Sequence, residues 1–354
     1  MNNPRVSYLA LEHFIGDALR ELGFPVEHAN LTARLMAQAD LQGSDGHGVI
    51  RLPAYVKRIR AGGINKTPNI RVVAERAAMA VIDGDNGMGH VVVSQAVDLA
   101  IAKARDAGVG WVSTRMSNHA GPASLYARRP LEHDMIGLYF AVGNANHLPP
   151  WGGMDMLLST NPIAAGIPAD QEPAVVLDMA TTVAAYGKVK AKAKRGEMMP
   201  EGWMIDREGQ PLLDPKRAHE GFLLPIGGHK GYGLALMVGL LAGTLGGAAM
   251  GREVIDFNAD FVSVTNTGQA ILVLDLAAFG NPAGFKQAVD TLVGDLRSSE
   301  RLPGVERIWL PGEQSHHRRI DYQANGIPLP EALVLELREL AQSLAIDPLP
   351  IQTA

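Results

Sequence analysis

The chain has 354 residues, 47% hydrophobic and 19% charged, which allows a large core and excludes global disorder. A formal charge of −5 argues against nucleic acid or an anionic membrane surface as the main partner. There are no cysteines, which excludes disulfides, thiolate catalysis, thiol-ligated zinc and iron–sulfur clusters.

The first residues, Met1 to Val6, are polar and lead into an amphipathic segment with Glu12 and Asp17. No signal peptide is read there, and a cytoplasmic location is expected. Tyr8 to Leu22 places Leu11, Ile15, Ala18 and Leu22 at helical spacing, with Gly23 as a stop. Ala29 to Leu41 repeats the pattern. A glycine-rich bend, Gly43 to Arg51, follows, and Arg51 to Ala61 reads as a third helix ended by Gly62-Gly63. Ala77 to Ile82 is a strand, and Val91 to Ala107 a helix stopped by Gly108. Gly110 to Thr114 and Met135 to Val142 are strands on either side of a broken helical stretch. Ile163 to Ile167 and Ala174 to Leu177 are further strands, and Val183 to Lys194 is helical. Residues 193–222 are charged and carry Pro200, Pro211 and Pro215, the texture of an ordered surface excursion or lid. The apolar run from Tyr232 to Ala249 is Gly-rich and follows a charged loop, so it reads as a buried helix over Tyr232 to Leu245, not a membrane span. Ala270 to Leu276 is a strand, Pro282 to Ser298 a helix and Arg307 to Leu310 a last strand. Pro330 to Leu344 returns to helix and is placed against the helical first lobe.

Four polar segments interrupt this background. His47 lies in the Gly43-to-Arg51 bend, and Arg51 opens the next helix. A histidine titrates near neutrality, and an Arg at a helix start offers a fixed planar charge for a carboxylate. Read alone, the leading account of His47 is a surface or satisfied core histidine in a glycine-shaped turn, and Arg51 narrows that lead without reversing it. Ser117-Asn118-His119-Ala120-Gly121 follows a strand, a common position for catalytic groups, though an N-cap with an incidental histidine explains it as well. Asp178, in Leu177-Asp178-Met179-Ala180-Thr181-Thr182, ends an apolar strand, where it either orients a histidine or caps the next helix. Gly227-Gly228-His229-Lys230-Gly231-Tyr232-Gly233 opens the apolar helix. Its glycines, helix start and lysine resemble a phosphate cradle, but it is no Walker loop, since no Ser or Thr follows the lysine. Gly84-Asp85-Asn86-Gly87-Met88-Gly89 has the wrong spacing for a dinucleotide fingerprint. No cluster has zinc-like spacing, so no metal is expected, and His316-His317 reads as a solvated loop.

Taken together and in order, these motifs resemble the malate/L-lactate dehydrogenase family of NAD(P)-dependent oxidoreductases, which is unrelated to the Rossmann lactate and malate dehydrogenases. The matching segments run from about Tyr8 to Ile327. They are Gly43 to Arg51 with Leu52 and Tyr55, Asn118-His119, Pro150-Trp151-Gly152-Gly153, Thr160-Asn161-Pro162-Ile163-Ala164, Leu177 to Thr181, Gly228 to Gly231 and Pro311-Gly312-Glu313. Each is weak alone; the ordered set is specific. Known members include malate, sulfolactate and ureidoglycolate dehydrogenases, diketogulonate reductase and a Δ1-piperideine-2-carboxylate/Δ1-pyrroline-2-carboxylate reductase.

The resemblance implies an α+β fold: a non-Rossmann cofactor domain with a mixed, largely antiparallel sheet, plus a helical lobe built from both chain ends. The implied division is 1–75 with 312–354 for the lobe, 76–192 with 223–311 for the sheet domain, and 193–222 for the excursion. A homodimer is implied too. The reaction implied is hydride transfer between NAD or NADP and C2 of a small 2-keto or 2-hydroxy carboxylate, or alternatively of a cyclic imino acid. His47 matches the proton donor or acceptor, His119 a second active-site histidine, and Asp178 a group orienting a catalytic histidine. Ser44, Arg51 and Tyr55 match substrate contacts. Asn144, Thr160, Asn161, Asp178, Met179, Ala180, Thr181, His229, Lys230, Gly231, Pro311, Gly312 and Glu313 match cofactor contacts. Two departures stand out. Gly46 replaces the serine usual before the histidine, and Gly143-Asn144-Ala145-Asn146 blurs an Asn-Ser pair.

Overall fold

The computed structural model describes residues 3–352. After a two-residue strand β1 (Arg5–Val6), the apolar spacing forms α1 (Tyr8–Glu21), capped where Ser7 accepts from the Ala10 N–H. Then come α2 (Val26–Leu41) and α3 (Leu52–Arg60), the latter with Pro53 in its first turn. The sheet region follows: β2 (Arg71–Arg76), β3 (Met79–Asp83), α4 (Gly89–Ala107), β4 (Val109–Ser117), α5 (Ser124–Ala127), β5 (Met135–Ala141), β6 (Ile163–Ile167) and β7 (Val175–Met179). Next are α6 (Tyr186–Arg195), β8 (Met204–Asp206), β9 (Gly221–Leu223), α7 (His229–Ala242) and β10 (Thr267–Asp275). The chain ends with α8 (Leu276–Phe279), α9 (Pro282–Ser298), α10 (Glu313–Asn325), β11 (Ile327–Pro328) and α11 (Glu331–Leu344).

Seven strands form one sheet in the order β2-β3-β4-β10-β5-β6-β7. Only β3 and β4 pair in parallel; the other neighbours are antiparallel. The fold is therefore α+β with a mixed, largely antiparallel sheet. The parallel pair needs a crossover, and α4 supplies it. This helix lies across β4, β10 and β3, burying Val92, Val97 and Ile101 against Val112, Ile271 and Val273. A second core joins α1, α2 and α3 to α11, with Leu11, Ile15, Met36, Tyr55 and Leu337 in contact. The β1–β11 pair, Val6 opposite Ile327, ties the two ends of the chain together. Residues 204–223 fold back as the β8–β9 hairpin, whose Met204 and Leu223 share a small separate core with Val189 and Met199.

Two local expectations are corrected. Arg307 to Leu310 is not a strand: it pairs with nothing in the sheet, and Arg307 instead covers the Trp309 ring at 4.2 Å. His316 and His317 are not in a loop but on α10. Among the described residues no helix is long and apolar enough to cross a membrane.

Candidate active site

The His47 bend is held from both sides. Gly43 leaves α2 with φ +76, and the His47 N–H donates to the Ser44 carbonyl at 2.8 Å. The Asp40 carboxylate, on α2 and 3% exposed, accepts the Val49 N–H at 2.7 Å. Gly48 makes this packing possible, because a Cβ there would lie 2.0 Å from Asp40 Oδ1. Gly46 is different: no atom lies within 4 Å of where its Cβ would stand, so the space accepts a serine. Arg51 Nε donates to the Gly46 carbonyl at 2.8 Å, and Nη1 donates to Asn258 Oδ1 at 3.1 Å.

The second histidine arrives from the sheet. β4 ends at Ser117, and Asn118 pins the following chain by donating to the Gly87 carbonyl at 3.0 Å. Gly89 lets α4 begin against this backbone, since a Cβ would meet the Asn118 oxygen at 2.1 Å. His119 Nε2 then lies 3.2 Å from His47 Nδ1, with the rings 8° from parallel. Tyr55 Oη bonds His119 Nδ1, and the Gly121 N–H reaches the same nitrogen at 3.4 Å. The line runs in either of two senses. With Tyr55 and Gly121 donating to His119 Nδ1, His119 Nε2–H donates to His47 Nδ1, and His47 carries its proton on Nε2. Reversed, His47 Nδ1–H donates to His119 and His119 Nδ1–H to the Tyr55 oxygen, which gives up the long Gly121 contact and leaves a lone pair on His47 Nε2.

Burial lowers the His47 pKa to about 4, with the Arg51 charge adding to the effect. Burial also takes His119 well below its usual value, assisted by Arg51, His47 and His90. Tyr55 is raised by burial, so the phenol keeps its proton. Nothing in the sequence motifs singled out His90. It is 0% exposed, edge-on to Tyr55 at 6.0 Å and to His119 at 6.5 Å, and neither ring nitrogen has a hydrogen-bond partner among the described residues. A lone histidine heading the apolar run Val91 to Val93 was the available signal. The turn around Asn258 was also missed. Phe257 packs on Tyr55 and His119 at 5.9 and 6.0 Å, and buried Arg58 donates to the Asp260 and Ser263 carbonyls. That turn carries no motif.

Several expected site residues are engaged elsewhere. Asp178 Oδ2 accepts the Ser124 N–H at 2.8 Å, at the start of α5, where N–H groups lack helical partners, and among the described residues none of its hydrogen-bond partners is a histidine. Asn161 is a buried staple, accepting from Gly143 N at 3.1 Å and donating to the Ala235 carbonyl at 2.8 Å. Thr181 Oγ1 donates to the Thr160 carbonyl at 3.0 Å, and the Asn144 carbonyl accepts the Phe257 N–H at 2.9 Å. Glu313 is 4% exposed and bound to Arg297, which also holds Glu172 at 2.8 Å. The Pro311 carbonyl accepts the Val176 N–H at 3.0 Å, and Gly312 packs on Val176, which sets this segment beside the strand of Asp178, Met179 and Ala180. Ser44 stands in the bend with its carbonyl used by His47.

The start of α7 fits an anion. Gly227 and Gly228 have φ +58 and +65, and a Cβ on Gly231 would meet the Ile226 carbonyl at 2.0 Å. His229 and Lys230 are exposed in the first turn, Trp151 is edge-on to His229 at 6.1 Å, and Lys230 forms no salt bridge among the described residues. Free N–H groups, the helix dipole and an unpaired lysine suit the phosphates of a dinucleotide.

The profile of the malate/L-lactate dehydrogenase family matches residues 6–338. The chain belongs to this family. It is 38% identical to a malate dehydrogenase of Pyrococcus horikoshii over 98% of this chain and 97% of that one. The solved structure of malate dehydrogenase from that organism superposes with a TM-score of 0.90 at 36% identity, covering 99% of this chain and 98% of the other. An L-sulfolactate dehydrogenase of Methanocaldococcus jannaschii is 37% identical over 94% of each chain. The Δ1-piperideine-2-carboxylate reductase of Pseudomonas syringae superposes with a TM-score of 0.83 at 31% identity, covering 95% and 99%. As a member of this dehydrogenase family the chain is an oxidoreductase.

Proposed function

We propose that the protein interconverts a small 2-keto and 2-hydroxy carboxylate of the malate/lactate type with NAD or NADP, using His47 as proton donor and acceptor. The observation that carries this reading is the line Tyr55–His119–His47 ending beside Arg51. Lys230 and the N–H groups of the first turn of α7 would hold the cofactor phosphates. The strand end at Asp178, Met179 and Ala180, with Pro311 and Gly312 beside it, would flank the nicotinamide. When bound, the cofactor supplies a hydride to C2 or accepts one from it.

Arg51 holds the substrate carboxylate by paired N–H donors. That carboxylate offsets the repulsion Arg51 exerts on protonated His47, so substrate binding raises the affinity of His47 for a proton. In reduction, doubly protonated His47 gives its Nε2 proton to the developing alkoxide and keeps Nδ1–H bonded to His119. In oxidation neutral His47, with Nδ1–H still bonded to His119 and a free lone pair on Nε2, takes the hydroxyl proton at Nε2 and becomes doubly protonated. Tyr55 holds His119 in place without ionising.

Cyclic imino acids are the second reading, favoured by the open space above Gly46, which leaves room beside His47 for a ring. Cytoplasmic location and a homodimer complete the proposal. The apolar residues Phe285, Leu292 and Leu296 that α9 leaves exposed support a dimer.

The test is spectrophotometric: 2-keto acids and cyclic imino acids screened with NADH and NADPH. One class gives turnover, and His47→Ala lowers kcat by roughly 10²–10⁴ while titration still shows cofactor binding. Turnover near wild type in that variant removes His47 from the role, and absence of binding of either cofactor ends the proposal.

A further inference from the structure

The Arg51 guanidinium is already oriented by its neighbours. Its Nε donates to the Gly46 carbonyl at 2.8 Å, and its Nη1 gives a proton to Asn258 Oδ1 at 3.1 Å. A guanidinium carries five N–H groups in one rigid plane, so three are left, one on Nη1 and two on Nη2. These suffice for a bidentate grip on a carboxylate. Both acceptors that hold the group are neutral oxygens, so its charge is undiminished.

Asn258 can offer Arg51 only its oxygen, because arginine has no acceptor. The amide nitrogen is turned the other way: Nδ2 donates to Asp256 Oδ1 at 3.3 Å, and the Asn258 N–H donates to the same oxygen at 2.8 Å. A flipped amide would set donor against guanidinium and oxygen against carboxylate, so this orientation is the stable one. The turn beneath is fixed as well. The Ala259 and Asp260 N–H groups donate to the Asp256 carbonyl at 3.1 and 2.9 Å. Phe257, the preceding residue, packs on Tyr55 and His119 at 5.9 and 6.0 Å. The residue that holds Arg51 is therefore next in the chain to one that packs on the histidine line. The neutral amide also stands between opposite charges, with Arg51 on its oxygen and Asp256 on its nitrogen.

We propose that Asn258 is the positioning residue of the carboxylate anchor. It fixes the Arg51 guanidinium relative to the histidine line, and as an uncharged spacer it keeps Asp256 from pairing with Arg51. The proposal rests on the reading of Arg51 as carboxylate ligand given above. Asn258 acts through Arg51 on binding, and no bond is made or broken at it. A carboxylate at position 258 would do the opposite: it would pair with Nη1 and compete with the substrate for the same charge.

Steady-state kinetics on the full chain with oxaloacetate and with pyruvate, each with NADH and NADPH, test this. In parallel, oxalate, a carboxylate that cannot be reduced by hydride, is titrated calorimetrically into the protein with reduced cofactor, which reads binding without turnover. The expected result for Asn258→Ala is a KM and an oxalate Kd raised roughly five- to tenfold, with kcat within about twofold of wild type. Asn258→Asp raises both further, and Asn258→Ser, which keeps a neutral acceptor, raises them less than Asn258→Ala. On an Arg51→Met background Asn258→Ala changes neither, because a residue that acts through Arg51 has nothing left to hold. An undiminished loss on that background, an Asn258→Asp variant that binds no more weakly than Asn258→Ala, or a fall in kcat at unchanged KM overturns the proposal. Unchanged KM and oxalate affinity in Arg51→Met alone overturn the anchor reading itself, so the two failures are told apart.

Discussion

At the scale of single residues, the site is a cluster of neutral imidazoles behind one half-buried cation, Arg51. The depressed pKa of His47 fixes a direction of pH dependence. Above about 4 the free enzyme holds the base form, the one needed to accept a proton. In the oxidising direction kcat/KM should therefore stay level from neutral pH downward and fall only as the pH drops through about 4. In the reducing direction it should rise as the pH falls toward that value. Profiles of kcat/KM in both directions check this, and an oxidising limb that falls near 6.5 would falsify it. His90 titrates in the same sense but has no substrate to serve. Burial lowers its pKa to about 3, with His47 contributing, and the groups facing it are Tyr55, His119 and His47. Between 6.5 and 3 the unfolded chain binds the proton that the folded one refuses, so the stability tied to this group is lost as the pH falls through that window. His90→Leu removes both unpartnered nitrogens and the proton linkage. It should raise stability by about 1–3 kcal/mol at neutral pH, with a gain in Tm over wild type that widens at pH 5. Calorimetry at both pH values decides: a lower Tm means that the ring holds a partner such as an internal water.

At the scale of elements, the His47 bend is positioned by a carboxylate one helix away. Asp40 lies on α2, and its carboxyl is pushed well above the usual range by burial, so an uncharged amide is a fair replacement. Asp40→Asn keeps an acceptor for the Val49 N–H, whereas Asp40→Ala leaves that N–H buried and unpaired. The alanine variant should lower kcat/KM roughly 10²-fold, in KM through Arg51 as well as in kcat through His47, and the asparagine variant should stay within a few-fold of wild type. Equal kinetics for the two variants would show that Asp40 does not set the bend. Elements with internal periodicity and clear stops, such as α1 with Leu11, Ile15 and Ala18 or α4 with its Gly108 cap, were legible in the sequence. β2 was not, because all six of its residues are exposed and no alternation marks a buried face. α10 was not, because Glu313 to Asn325 is almost wholly polar and is anchored by the Glu313–Arg297 pair, a contact made across sequence. In the candidate site, glycines and a strand end drew the eye to His47, Arg51 and His119, but only the ordered set of motifs raised them above a structural reading. Asp40, His90 and Asn258 were not legible, since their roles arise only when α2, α4 and the 256–263 turn meet.

At the scale of the whole molecule, the site occupies the seam between two cores. Tyr55 and Phe257 belong to the core of the helical lobe, while His119 follows β4 of the sheet. Several side chains cross it, the Tyr55–His119 and Gln42–Ser124 contacts among them, and Arg58 adds a tie from α3 to the 256–263 turn. Arg58, on α3 and 0% exposed, donates from both terminal nitrogens to the Asp260 and Ser263 carbonyls, and its guanidinium lies 4.8 Å over the Phe257 ring. It thereby ties the turn that carries Asn258, the partner of Arg51, to the lobe that carries Arg51 itself. A planar guanidinium serves two carbonyls at once, and a lysine ammonium on a flexible stem does so less well. Arg58→Met preserves much of the stem packing but leaves both carbonyls without their donor. The expected outcome is a lower Tm, faster proteolytic cleavage within 256–263, and a KM for the carboxylate substrate raised several-fold with a smaller change in kcat. Arg58→Lys should fall between the variant and wild type on all three measures. The ordering separates a seam from a local core defect. A defect confined to α3 lowers Tm without moving KM or the cleavage rate of the turn, and that pattern would refute the coupling of the two lobes through Arg58.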